Sequence, residues 1–95
     1  MPEMHFLVRW PDGSAQRCYS PSLVIKDFFM PGESYPVAEF VERSRTALDL
    51  ASERVHQKYG YGCGHATAQL KEIERVAAQF GNRSDARVIV EAFEE

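Results

Sequence analysis

The stretch from Ser34 to Gly60 restricts the fold of this chain more than any other. Val37, Phe40, Val41, Ser44, Ala47, Leu48, Ala51, Val55 and Tyr59 recur at steps of three and four, which draws one apolar stripe along a helix. The ends support the same reading. Ser34 can cap the start, Pro36 suits a first turn, and Glu39 and Glu42 lie near the positive end of the helix dipole. His56 and Lys58 fall in the last turn, and Gly60 can close it in a left-handed conformation. Such a helix spans roughly 36 Å at about 1.5 Å per residue, long enough to cross a small domain. The rest of the chain must cover its stripe.

Two strands come first. Met4, Phe6, Val8 and Trp10 alternate with His5, Leu7 and Arg9, a period of two with one strongly apolar face. Leu7 on the other face suggests that this side is partly covered as well. Pro11-Asp12-Gly13-Ser14 is a turn, and Ala15 to Tyr19 pairs back as the second strand. Ser20-Pro21 can begin a short helix with Leu23, Val24, Asp27 and Phe28 on one side. Leu23-Val24-Ile25 also suits a strand, so 21–29 stays open between the two, with the helical turn favoured. Met30-Pro31-Gly32-Glu33 is a loop.

After Gly60, a second amphipathic helix runs from Ala66 to Phe80, with Ala66, Gln69 or Leu70, Ile73, Val76, Ala77 and Phe80 on its face and Gly81 at its end. The short link between the two helices implies an antiparallel pair. Arg87 to Phe93 is β-branched and reads as a last strand. The expected fold is α+β in two layers, in the order β-β-(short α)-α-α-β. A three-stranded sheet, made of the N-terminal hairpin and the C-terminal strand, packs on the helix pair as a single domain over 1–95. Strand order is not readable. An exposed sheet edge, or the face that carries Leu7, favours a homodimer.

Composition excludes several classes of function. No apolar run is long enough to span a membrane, and the first residues lack the basic and apolar regions of a signal peptide, so the expected location is the cytoplasm. Eleven Lys and Arg are scattered among fourteen acidic residues, with no basic run to neutralise phosphates, which argues against nucleic acid. Cys18 and Cys63 form no Cys-x-x-Cys pair, and His5, His56 and His65 fall on different elements. No metal and no cofactor is expected.

Chemistry, if the chain performs any, belongs in the connector Tyr59-Gly60-Tyr61-Gly62-Cys63-Gly64-His65. A thiol at a helix N-terminus feels partial positive charge, which favours the thiolate, and His65 is near enough in sequence to serve Cys63 as base. Tyr59, Tyr61, Gly62, Cys63, Gly64 and His65 are the candidate ligand-binding residues, and Cys63 and His65 the candidate catalytic ones. The plainer alternative is favoured: glycines make a tight reversal, Cys63 packs as a small apolar residue, and the tyrosines cover helix ends. Glu39, Glu42, Asp49 and Glu53 share the polar side of the long helix with Arg43, Arg45 and Arg54, and Glu39 to Arg43 is the favourable i,i+4 orientation, which describes a solvated face better than a catalytic carboxylate pair. Trp10 reads as a hairpin anchor in the core.

Several stretches together resemble one family. They are Met1 to Ser14, Cys18-Tyr19-Ser20-Pro21-Ser22, Gly32 to Val41, and Ala51-Ser52-Glu53-Arg54-Val55. They are similar to small bacterial nitrogen starvation response proteins, with a likeness that covers the chain to about Glu74 and weakens in the last strand. Genes of that family typically lie beside those of a nitrilase, a radical-SAM protein, an acetyltransferase-like protein, a flavin-dependent oxidoreductase and a synthase-like protein. The resemblance brings no catalytic residues to carry over. Together with the lack of a convergent catalytic set, it points to a non-catalytic accessory protein of a nitrogen-starvation-induced, nitrilase-cluster pathway that binds protein partners from the same gene cluster, with enzyme activity favoured less but left open. The alternative is a small enzyme or ligand-binding protein for a nitrogenous metabolite, centred on Cys63 and His65.

Overall fold

A computed structural model describes the backbone of residues 3–59, 64–80 and 85–95, and the side chains of the same residues apart from 54–59. The chain opens with a hairpin of β1 (Met4–Arg9) and β2 (Ala15–Ser20), paired antiparallel from Met4 opposite Ser20 to Arg9 opposite Ala15. The turn is closed by its own chemistry. Trp10 N–H donates to the Ser14 carbonyl at 2.8 Å, and Gly13 N–H donates to the Trp10 carbonyl at 2.9 Å. Gly13 takes φ 90°, a conformation that side-chain-bearing residues rarely adopt. The Asp12 carboxylate accepts from both the N–H and the hydroxyl of Ser14, and these bonds hold its pKa below the usual value.

A 3₁₀ helix follows at Leu23–Asp27, so the helical alternative for this segment is the one adopted. Its cap lies two residues later than Ser20. Ser22 is the N-cap, accepting from Val24 N–H, while the Ser20 hydroxyl donates to the Ser22 carbonyl. Val24, Ile25 and Phe29 are buried, whereas Asp27 is exposed.

The main correction concerns the residues before the long helix. Ser34–Pro36 is a fourth strand, β3, rather than a cap and first turn, and α1 begins only at Val37 (Val37–Tyr59). β3 pairs with β4 (Arg87–Glu94), Ser34 opposite Ile89 and Pro36 opposite Arg87. Arg87 makes the pairing by donating to both the hydroxyl and the carbonyl of Ser34. The hydroxyl expected to cap a helix is thus engaged by a residue more than fifty positions away. The sheet has four antiparallel strands, ordered β2-β1-β4-β3, not three. Within β4, Glu91 is an extra residue: Val8 faces Val90 while Leu7 faces Ala92, a bulge.

The second helix, α2 (Gly64–Ala77), ends in a 3₁₀ turn at Ala78–Phe80 and packs against α1. The stripe read from the sequence is the buried one: Val37, Phe40, Ser44, Ala47, Leu48 and Ala51 on α1, then Ala66, Ile73, Ala77 and Phe80 after it. The expected Val55 and Tyr59 lie outside the described side chains, as does the backbone of the expected caps Gly60 and Gly81.

Both helices cover the same side of the sheet, where Met4, Phe6, Val8, Cys18, Val88 and Val90 point. Aromatic rings close the middle. Trp10 lies edge-on to Phe40 at 5.4 Å and stacks on Phe80 at 6.1 Å, while Phe29 touches Phe6, Tyr35 and Phe40. Arg43 ties this layer together from outside. It pairs with Glu39 four residues earlier, donates to the Phe28 carbonyl at 2.8 Å, and lies 5.1 Å from the centre of the Tyr35 ring.

Candidate functional site

Of the candidate connector, Tyr61, Gly62 and Cys63 lie outside the described residues, as does the side chain of Tyr59. Gly64 is the first residue of α2, and a Cβ placed there would meet nothing within 4 Å. His65 is exposed on the first turn of α2. Its ring lies edge-on to Tyr19 at 5.8 Å, and His5 meets the same tyrosine at 5.7 Å from the adjacent strand. The structure therefore brings two of the three histidines to one ring, with Tyr19 between them. One turn further along α2, the Gln69 side-chain carbonyl accepts the Tyr19 backbone N–H at 2.9 Å.

Tyr19 and Gln69 were not candidates, although half of the arrangement follows from the hairpin. A strand that returns from Arg9 opposite Ala15 must set Tyr19 opposite His5. The approach of α2 to the outer edge of β2 has no comparable sequence signal. Among the described residues, no three His, Cys, Asp or Glu side chains come close enough to hold a metal ion.

Cys18 is an inert thiol. It is fully buried opposite Phe6, and burial, with a smaller contribution from the Glu72 carboxylate, pushes its pKa up to about 12.

Beside the start of α2, a cleft of about 230 Å³ opens between the helices. Leu48, Ala66 and Leu70 supply apolar walls, and Asp49, Ser52, Glu53 and Thr67 the polar ones. The acids here differ from those elsewhere on the helices. Glu39 pairs with Arg43, Glu42 and Glu74 with Arg45, and Glu72 with Arg75. Asp49 and Glu53 form no ion pair among the described residues.

The second feature is the side of the sheet away from the helices. Leu7, Ala92 and Ile89 lie on it, Ile89 with 40 % of its surface exposed. Two cross-strand ion pairs flank them, Arg9 with Glu91 and Arg17 with Glu94. At the β2 end of this side, His65 of α2 lies edge-on to Tyr19.

These features define a small α+β protein: a four-stranded antiparallel sheet with two helices packed on one side. No curated protein and no solved structure matches the chain. It does match the family described as nitrogen starvation-induced protein NitG over residues 5–93, and it belongs to that family. The match extends through β4, past the point near Glu74 at which the resemblance weakened. Among the described residues, no helix is long and apolar enough to cross a membrane.

Proposed function

We propose that this chain is a non-catalytic accessory protein of the nitrogen-starvation response, acting by contact with another protein. The observation that carries the reading is the side of the sheet away from the helix pair, with Leu7, Ile89 and Ala92 in the middle and ion-paired side chains around them. Apolar centres with polar rims are how protein contact surfaces are built. The partners expected are products of the gene cluster typical of the family, the nitrilase among them. The chain used as bait in a lysate of nitrogen-starved cells is expected to retain at least one of these products. The Ile89→Lys variant is expected to retain it at least about ten-fold less, as for a central contact residue. Retention of none of them across several salt concentrations counts heavily against the reading.

A second reading, binding of a small ligand, is favoured by the cleft. Two carboxylates that form no ion pair among the described residues, beside apolar walls, suit a small organic cation with an apolar stem. A thermal-shift titration with alkylammonium ions tests it. At a hundred-fold excess over Kd, binding stabilises the fold by about 2.7 kcal/mol, and Asp49→Asn with Glu53→Gln is expected to abolish the shift. No shift with the unmodified chain removes this reading.

A further inference from the structure

We infer that the Arg17–Glu94 ion pair is a strap across the side of the sheet away from the helix pair, and that it shields Leu7 until it opens. The inference deepens the accessory reading and rests on it for its use, since it gives the same surface a closed and an open form.

The register fixes the path of the strap. Arg17 on β2 stands opposite Leu7 on β1, Leu7 stands opposite Ala92 on β4, and Glu94 stands opposite His5. β1 therefore lies between the two charged residues. Arg17 Nε nevertheless donates to Glu94 Oε1 at 2.5 Å, so the side chains meet over β1, between Leu7 and His5. Adjacent strands lie about 4.8 Å apart, and two such gaps are bridged only by long side chains laid along the surface. The next residue, Glu95, is held by Lys26 at 3.1 Å, which pins the end of β4 from a second direction. The Arg9–Glu91 pair differs, because it joins neighbouring strands and crosses none.

Exposure varies along the face in the same sense. Leu7, His5 and Ala92, beside the strap, are half-buried, whereas Ile89, beyond its reach, keeps 40 % of its surface exposed. Leu7 thus has the partial cover that its place on the second face of β1 calls for, and the cover is supplied by the chain itself.

The strap is built to open. Its side chains are 59 % and 45 % exposed, and exposed pairs of this kind are weak and screened by salt. A buried pair would lock the face. This one gives way at small cost, and its opening bares Leu7 and frees one cation and one anion beside it.

Methyl NMR of the full chain, with a neutral gadolinium chelate in the buffer, reads the exposure of Leu7 against the Ile89 methyls as internal reference. At low salt the Leu7 methyls are expected to be the less relaxed. Raising NaCl from about 50 mM to about 1 M, where screening acts within about 3 Å, is expected to raise the Leu7-to-Ile89 ratio at least about 1.5-fold. Arg17→Glu alone and Glu94→Arg alone give the same rise at low salt. The two reversals together restore the pair and bring the ratio back to within about 20 % of wild type, which a loss of packing alone does not do. Glu94→Gln, close in shape, gives a smaller rise should a reversal not fold. A ratio that ignores both salt and the single substitutions overturns the strap, as does a double reversal that stays as open as the singles. Capture of a cluster-encoded protein by a chain whose ratio never changes overturns the strap and leaves the accessory function standing. A strap that opens in a chain that captures none of those proteins does the reverse.

Discussion

Trp10→Ala is expected to destabilise the fold by about 3–5 kcal/mol, as for other buried large aromatics cut back to alanine. Only 2 % of Trp10 is exposed, and its ring is held between Phe40 and Phe80, which arrive from α1 and from the turn after α2. Its indole N–H donates to the Gln16 side chain at 2.8 Å, so one residue joins the hairpin to both helices. Domains of this size are stable by roughly 5–14 kcal/mol, so the alanine variant stands close to its limit. Trp10→Phe separates the contributions. It keeps much of the ring contact, removes the hydrogen bond, and is expected to cost about 1–2 kcal/mol. Urea unfolding followed by far-UV circular dichroism measures both. An alanine variant within about 1 kcal/mol of wild type is incompatible with a ring that bridges the two layers.

The second large effect is alkaline. The Cys18 pKa is raised from 9.0 to about 12 by burial first and by the nearby Glu72 carboxylate second. A raised pKa means that the folded chain holds its proton more tightly than the unfolded chain does. Below about pH 9 both states are protonated, and the stabilisation is fully present. Between about pH 9 and about pH 12 the unfolded chain releases a proton that the folded one keeps, and stability falls by about 1.4 kcal/mol per pH unit. The full loss is on the order of 4 kcal/mol. Other groups titrate in this range, so the informative quantity is the difference between wild type and Cys18→Ala. The variant is expected to be less stable at neutral pH, through the small cavity left behind, and to show a shallower alkaline decline. Equal slopes from about pH 8 to about pH 11 contradict a buried, neutral thiol at this position.

Much of the architecture is legible where periodicity is long. Six positions of the α1 stripe and four of the second helix are buried as their spacing requires, and the hairpin follows from alternation and turn chemistry. β3 is not legible, for a physical reason. Three residues cannot display a period, and Ser34-Tyr35-Pro36 carries the same local preferences as a helix start. Its conformation is decided from outside by Arg87 and by the backbone of β4, where Gly32 N–H donates to the Val90 carbonyl and Val90 N–H to that of Glu33. Tertiary pairing overrides a local signal. The candidate site divides in a similar way. His65 was singled out for its nearness in sequence to Cys63, yet its contact in the fold is Tyr19, which reaches it through the hairpin and not through the connector. Asp49 and Glu53 read as part of a solvated charged face, because nothing local reveals that Arg43 and Arg45 are engaged by other acids.

The bulge at Glu91 makes the two halves of β4 count differently. Val88 and Val90 enter the interior on even positions, and Phe93 packs against that interior from an odd one, because one residue is skipped between them. A chain one residue shorter here keeps every amino acid that matters and still turns either the phenylalanine or the valines outward. In this strand the number of residues is thus part of the information, held as firmly as their identities.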